Sequence, residues 1–349
     1  MKPSDHLHRQ IPVVSVILLN YNGLDDTRAC IRSLISDGCP DKEIIVWDNG
    51  SSQNEAELVA AEFGHAVRAV RSGKNRGYAG GNNRAASEAR GEYLVFLNND
   101  TEVTPRWLEP LLKAMQASPD IVACQPKLKS WSDRTMFDPA GGAGGFLDVL
   151  GFPYVRGRLL FTTEHDRGQY DSPCTVDWAC GACLLTRTAS FRRAGGFDEA
   201  LFAHMEEVDL CWRWRRQGYR IMSVPSSIVF HKGARTWRYQ PYVILYMKHR
   251  NNLLILLKNT SPLVLLFLLP LRMTLDGVAA VYYLASTGFQ AALMPLFALG
   301  GFLLRAPSFW QKRRDGLRPG TLQGPCLLFE YFVRRRRTYA ALPKRQNIS

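Results

Sequence analysis

Val13-Val14-Ser15-Val16-Ile17-Leu18-Leu19-Asn20-Tyr21-Asn22 decides the fold class. Val13–Leu19 is a β-branched and leucine run interrupted only by Ser15. Such a run suits a strand buried on both faces of a parallel sheet. Asn20-Tyr21-Asn22 ends it with polar residues where a secretory leader would carry small ones, so the segment reads as strand and loop. The same pattern recurs downstream. Gly23 and Asp25 open an amphipathic stretch with Ala29, Leu34 and Ile35 on one face, Glu43–Trp47 is a second strand ending at Asp48, and Glu55–Phe63 a second helix. Ala66–Val70 is a third strand, Tyr78–Arg90 an alanine-rich helix, and Tyr93–Leu97 a fourth strand ending at Asn98. Pro105 opens a helix over Arg106–Met115, since proline is tolerated in a first turn, and Ile121–Gln125 is a fifth strand. This alternation predicts an α/β fold, a mostly parallel sheet flanked by helices with right-handed crossovers.

In such sheets ligands bind beyond the carboxyl ends of the strands. Asn20-Tyr21-Asn22, Asp48-Asn49-Gly50-Ser51, Ser72 to Gly77 and Asn98-Asn99-Asp100 all fall there. Each alone also suits a turn or a helix cap. Asp100 beside two amides suits a divalent cation carrying a diphosphate, because such a cation keeps several waters and takes one or two protein carboxylates. Asp48 suits hydrogen bonds from a nucleobase or ribose. The Gly/Asn-rich loop Asn75 to Asn83 opens a helix, where backbone amides favour anions. It lacks G-x-G-x-x-G and follows the third strand, which argues against a dinucleotide-dependent oxidoreductase.

The middle of the chain, Ser130 to Asp177, is less regular, and Gly141–Gly145 reads as a flexible, mobile loop. Thr175–Thr186 has strand character, Glu207–Gln217 a helical pattern, and Ile221–Val224 and Ile228–Phe230 read as short strands either side of Pro225. Glu206-Glu207-Val208-Asp209 crowds carboxylates at a helix start; clustering raises at least one pKa and can poise a general base. His231 reads as a ligand, a base or a structural histidine. Cys180-x-x-Cys183 is the only CxxC among eight scattered cysteines, so buried strand thiols and a reducing, cytosolic compartment are expected.

The 349 residues, 46% apolar and 21% charged, allow two domains and exclude wholesale disorder or a polytopic membrane protein. The net charge of +13 is concentrated: from Arg305 onward eleven Lys/Arg face only Asp315 and Glu330, a net of +9, leaving +4 for the first 304 residues. A nucleic-acid or polyanion-binding reading therefore rests on the tail alone. The chain changes character at Pro241. Tyr242–Lys258 carries a basic stripe of Lys248, His249 and Arg250; Leu263–Ala285 is apolar; Gly277 to Leu304 lacks any charge. That length spans a bilayer. Basic residues on both sides, Lys248 to Lys258 and Arg305 to Arg314, predict a two-helix hairpin or helices lying in the interface. Arg272 and Asp276 are spaced to pair on one helix face, and Arg334–Arg337 suits anionic headgroups. We therefore expect a catalytic unit over 1–240 and a membrane-associated helical region with a basic tail over 241–349.

From Val14 to about Trp237 the motifs V-S-V-I-L-L-N-Y-N-G, I-I-V-W-D-N-G-S-S, K-N-R-G-Y-A-G-G-N-N, Y-L-V-F-L-N-N-D-T, W-A-C-G-A-C-L-L-T-R and G-G-F-D-E-A-L-F-A-H-M-E-E-V-D-L-C-W-R occur in this order. The series resembles family 2 glycosyltransferases of the GT-A fold, close to the rhamnosyltransferase and galactofuranosyltransferase-like branch. The resemblance implies a Rossmann-like nucleotide-diphospho-sugar transferase that uses Mg²⁺ or Mn²⁺. Its donor would be a dTDP- or UDP-linked rhamnose, galactofuranose or hexose. Its acceptor would be a saccharide, lipid-linked, in cell-envelope polysaccharide synthesis at the cytoplasmic face of a membrane. By the same resemblance Asn20, Asn22, Asp48, Asn75, Gly77 and Asn99 would hold the donor nucleotide. Asp100 is the last acid of a D-x-D-like motif whose first position is Asn98, and His231 would complete the metal site. Trp178 and Gly181 would shape the acceptor and sugar pocket. Glu206-Glu207 matches an acidic pair usually written Glu-Asp; Glu207 takes the place of the base, with Glu206 and Asp209 as alternatives. An inactive relative serving as a membrane scaffold is the remaining reading.

Overall fold

A computed structural model describes residues 13–39, 41–233, 240–313 and 322–343. Trp237 and Arg314, which bound two of the segments read above, lie outside the described residues. The first half follows the expected alternation: β1 (Val14–Asn20), α1 (Leu24–Ser36), β2 (Lys42–Asp48), α2 (Glu55–Phe63), β3 (Arg68–Arg71), α3 (Gly77–Glu88) and β4 (Tyr93–Asn98). These strands are parallel in the order β3-β2-β1-β4. Val16, Ile17 and Leu18 are fully buried, as a central strand requires. The register sets Asn20 opposite Asp48 and Leu19 opposite Asn98, so the polar strand ends line up along one edge.

β5 (Thr101–Val103), α4 (Leu108–Ala117) and β6 (Ile121–Ser130) follow. β6 does not pair with β4. A later strand, β12 (Cys183–Arg187), inserts between them, antiparallel to both. Cys183, Leu184 and Leu185 are wholly buried, so this run needs a central place. The expected strand over Thr175–Thr186 is thus two strands, β11 (Cys174–Val176) and β12, separated by an irregular turn. In that turn Asp177 accepts from Leu147 N at 2.8 Å and the Trp178 indole donates to the Phe146 carbonyl at 2.9 Å. The two strands expected around Pro225 are one, β13 (Arg220–His231), with a register shift between Val224 and Ile228. Proline lacks the ladder donor, and the bulge absorbs it.

Gly141–Gly145 is not a mobile loop: all five residues are buried. A Cβ on Gly141 would lie 2.7 Å from Cys180 Cβ, and one on Gly145 2.1 Å from the Trp178 ring, so these glycines serve close approach. They lead into a small antiparallel sheet, β7 (Gly145–Leu147), β8 (Pro153–Val155), β9 (Arg158–Leu159) and β10 (Thr162–Thr163).

α5 (Thr188–Arg193) and α6 (Glu206–Arg216) complete the first unit, and α7 (Pro241–Asn259), α8 (Pro262–Ser286) and α9 (Phe289–Gln311) follow. The expected boundary at 240/241 is not a packing boundary. Arg250 to Asn259 of α7 are all buried, and Leu253–Leu257 belong to the same apolar core as β1. α8 and α9 are long and apolar enough to cross a membrane, yet only 28% of each apolar window is buried. One face of α8 (Leu265, Leu268, Arg272, Asp276 and Ala280) packs inward. Arg272 and Asp276 do not pair with each other. Arg272 donates to the Leu150 carbonyl at 2.6 Å and lies 3.6 Å over the Phe152 ring, while Asp276 meets His249 Nδ1 at 2.8 Å. They are held instead by the first unit and α7, a stronger pull than an i,i+4 contact on a bare helix.

Candidate active site

Asp48 ends β2 fully buried. One carboxylate oxygen accepts from Ser51 N at 2.9 Å; the other has no hydrogen-bond partner, with Arg71 Nε 3.9 Å away. A buried acceptor left unmade costs about 1–3 kcal/mol, so this oxygen is poised for an incoming N–H or O–H. The neighbouring amides behave differently. Asn20 donates to Glu55 at 2.7 Å and accepts from Thr27 at 2.9 Å and Asn99 at 3.3 Å. Asn99 donates also to Thr27 at 2.9 Å. These bonds of Asn20 and of the Asn99 Nδ2 brace the loop. Asn22, at φ 50°, latches that loop to the next by accepting from Ser52 N at 2.8 Å. Asn75 accepts from Gly77 N at 2.8 Å and Asn49 Nδ2 at 3.0 Å. Gly77 has φ 71°, and a Cβ there would lie 2.3 Å from the Phe202 carbonyl oxygen. A cavity of about 400 Å³ opens beside this loop, lined among others by Tyr21, Asn75, Phe202, Tyr246 and Arg250.

Asp100 and His231 come together from sequence-distant strand ends, Nε2 to Oδ1 at 3.2 Å. His231 Nδ1 meets Asp138 at 3.0 Å, and Asn98 Nδ2 lies 3.3 Å from Nε2. Burial opposes charge on the ring, but the carboxylates of Asp138 and Asp100 outweigh it and raise its pKa well above the usual histidine value. Asp138 went unnoticed in the sequence because it sits in the irregular middle, outside any strand. It engages Nδ1 and so turns Nε2 toward Asp100, the outer-shell arrangement that orients metal-ligating histidines. A carboxylate oxygen and an imidazole nitrogen side by side fit a divalent cation. Among the described residues no group of three or more His, Cys, Asp or Glu could hold one, so further ligands would come from a diphosphate and water.

The acidic helix start is built on strain. Phe202, His204 and Met205 have φ of 67°, 66° and 75°, a region that non-glycine residues rarely occupy. Asn251 of α7 holds this turn, donating to the carbonyls of Leu201, Ala203 and His204 at 2.9, 2.9 and 2.8 Å. Glu206 and Glu207 follow, each with one buried carboxylate oxygen that lacks a partner. Burial raises both pKa values, and the Glu207 charge raises Glu206 further. Backbone N–H groups of Glu207, Val208 and Gly181, with Lys248, partly offset the rise at Glu207. Asp209 is different. Burial would raise it, but Lys258 at 2.9 Å and Arg213 at 2.8 Å hold it well below the usual carboxylate range, and Asn259 donates to its other oxygen at 2.9 Å. Asp209 is thus a buried carboxylate already paired with two cations.

Gly181 lies between Tyr78, whose hydroxyl donates to its carbonyl at 2.7 Å, and Glu207. Trp178, expected to line the sugar pocket, is 4% exposed, with its indole N–H donating to the Phe146 carbonyl at 2.9 Å. Cys180 and Cys183 are free buried thiols whose pKa burial pushes well up. Asp48, Asn98 to Asp100, Gly181 and His231 share one sheet edge: Asn20 pairs with Asp48, Leu97 with Cys183, and Thr101 with His231.

A parallel half-sheet with polar strand ends and an antiparallel strand inserted beside it is the arrangement of the GT-A fold. Two solved structures share the fold. GalNAc-T7 with UDP, GalNAc and Mn²⁺ superimposes with a TM-score of 0.58 at 15% identity, over 86% of this chain and 58% of that one. The mannosyltransferase PcManGT of Pyrobaculum calidifontis with GDP-Man and Mn²⁺ gives 0.52 at 18% identity, over 86% and 84%. Residues 15–181 match Glycosyl transferase family 2. The N-acetylglucosaminyl-diphospho-decaprenol L-rhamnosyltransferase of Mycobacterium tuberculosis is 29% identical over 255 residues, 68% of this chain and 81% of that protein.

Proposed function

We propose that this chain is an inverting glycosyltransferase that moves a sugar from a nucleoside diphosphate to a hydroxyl of a lipid-linked saccharide at the cytoplasmic face of a membrane. The observation that carries the reading is the meeting of Asp100 with His231 at 3.2 Å, on the sheet edge that also holds Asp48 and faces the buried pair Glu206–Glu207 through Gly181. Asp48 takes the nucleoside with its unpartnered oxygen, and the Asn75–Gly77 loop closes the same side. Asp100 and His231 would hold Mg²⁺ or Mn²⁺, which when bound neutralises charge on the departing diphosphate. Glu207 accepts the acceptor hydroxyl proton as that oxygen bonds to the anomeric carbon and the bond to the diphosphate oxygen breaks. The buried site keeps water from competing. The relative that acts on a diphospho-decaprenol substrate supports a lipid-linked acceptor, with rhamnose as the first donor sugar to try.

We also place the membrane region at α8 and α9, with α7 in the catalytic unit. Leu263, Leu266, Phe267, Val281, Phe297 and Leu304 are exposed on these helices, as a surface facing lipid would be. The inward face of α8 is fastened to Leu150 and His249, and Arg305 of α9 donates to the Ala200 carbonyl at 3.1 Å, so the helices lie in the interface, since spanning would drag the catalytic unit into hydrocarbon. The test is a donor screen with dTDP-rhamnose, UDP-hexoses and UDP-galactofuranose, with Mg²⁺ or Mn²⁺ and a membrane extract. Transfer to a chloroform-soluble product is expected. Absence of transfer and of donor hydrolysis with every donor would reject the enzymatic reading.

A further inference from the structure

The cavity of about 400 Å³ beside the Asn75–Gly77 loop has a second wall that the transfer reaction above does not use. Val243, Tyr246 and Arg250 of α7 and Arg305 of α9 form it, so the cavity lies on the seam between the first unit and the apolar helices. Arg250 is only 5% exposed. Its Nε and Nη2 donate to Asn251 Oδ1 at 2.9 and 2.8 Å, and Nη2 also reaches the Leu201 carbonyl at 3.3 Å. Nη1 meets the Tyr246 hydroxyl at 3.4 Å, which leaves one of its two N–H groups without an acceptor among the described residues. Arg305 stands beside it. It donates to the Ala200 carbonyl at 3.1 Å, next in the chain to the Leu201 carbonyl that Arg250 holds. Gly301, one turn before Arg305, brings α9 so close that a Cβ there would lie 3.2 Å from Arg250 Cδ. Among the described residues neither guanidinium has a carboxylate within 4.0 Å. The carboxylate in the lining, Glu199, accepts from Asn83 at 3.1 Å. A buried charge without a counter-ion is costly, and an anion entering the cavity would remove that cost.

We infer that Arg250 and Arg305 form a phosphate site at this seam, apart from the nucleoside's place at Asp48. A guanidinium fork matches carboxylate and phosphate oxygens alike, but two forks set on different helices suit the tetrahedral oxygens of phosphate better than the planar pair of a carboxylate. A lipid headgroup and a free phosphate share that chemistry. The rim favours the lipid: Val243, in the lining, is 43% exposed, and Leu304, next to Arg305, is 86% exposed. Cations below an apolar rim suit a phosphate that carries a hydrocarbon chain.

Calorimetric titration of the full chain in maltoside micelles tests this with dodecyl phosphate, inorganic phosphate, laurate, and UDP with Mn²⁺. Dodecyl phosphate should bind more tightly than inorganic phosphate or laurate. Arg305→Gln should weaken it by about tenfold or more, as loss of a charge-assisted contact does. Arg250→Lys, which keeps the charge but not the fork, should weaken it as well. If Arg250→Lys does not fold, Arg305→Gln decides alone, since Arg305 is exposed. UDP affinity should not move in Arg305→Gln. Inorganic phosphate that matches dodecyl phosphate, with the same dependence on Arg305, upholds the site and assigns it to a soluble phosphate. Unchanged dodecyl phosphate affinity in Arg305→Gln overturns the proposal, because binding then comes from the apolar faces of α8 and α9 alone. Equal binding of laurate overturns it too, since the site would not select phosphate. So does a loss of UDP affinity in Arg305→Gln, which would hand the cavity to the donor.

Discussion

Glu207 and Glu206 differ by one position but not by one role. Burial raises both, and two adjacent acids of this kind do not ionise together readily. Glu207 has the backbone N–H groups and Lys248 on its side, so it is the one that ionises first. Glu207→Gln should lower kcat by roughly 10²–10⁴-fold while nucleotide affinity, read by titration with UDP, stays put. Near-normal turnover would hand the base role to Glu206. The base works ionised, so activity is lost as pH falls through its pKa. Because that pKa is raised, the acid limb of kcat/KM should lie above the ordinary glutamate range near ~4.3. A profile flat through that range contradicts the assignment. Asp138 acts through His231. Asp138→Asn should weaken Mn²⁺ dependence by about 10–100-fold, seen as a higher metal concentration for half-maximal activity, with kcat at saturating metal much less affected.

At the scale of elements, α7 holds the catalytic turn in place. Asn251 satisfies the Leu201, Ala203 and His204 carbonyls, which the left-handed residues leave pointing away from any ladder. Asn251→Ala should cost roughly 2–3 kcal/mol in urea unfolding and reduce kcat, because the turn carrying Glu206 and Glu207 loses its anchor. Asp209 joins α6 to α7 by its bonds to Lys258 and Asn259. Its pKa is depressed, so its stabilisation is present above the unfolded value near ~3.9 and fades as pH falls through the lower folded value. Asp209→Asn should destabilise by about 3–5 kcal/mol at neutral pH, since Arg213 loses its buried carboxylate and Lys258 keeps only Asp198, and the difference from the parent should shrink in acid. An equal difference at both pH values would mean that packing, not charge, holds α6 to α7.

At the scale of the whole molecule, α8 and α9 carry the exposed apolar faces on which the proposed membrane contact rests. Leu266→Asp with Phe267→Asp places charge on the outward face and away from Arg272 and Asp276. The double variant should move from the vesicle pellet to the supernatant in flotation with phosphatidylglycerol vesicles, with its thermal unfolding little changed. Retention on vesicles would leave the basic Arg334–Arg337 segment as the anchor, a contact that high salt would release.

Runs such as Val13–Leu19 and Tyr93–Leu97 were enough to call the parallel half-sheet, because a strand buried on both faces must be apolar throughout, and the polar residues after each run located the ligand edge. Tertiary structure alone decided which of those polar groups are bonded within the protein. Asn20 is bonded to Glu55, Thr27 and Asn99, Asp209 is paired with Lys258 from a helix fifty residues on, and Asp138 reaches His231 from an unpatterned stretch. Periodicity reports burial, which each segment records in its own composition. The free or spent state of a polar group depends on partners brought from elsewhere in the chain, and no local pattern records those.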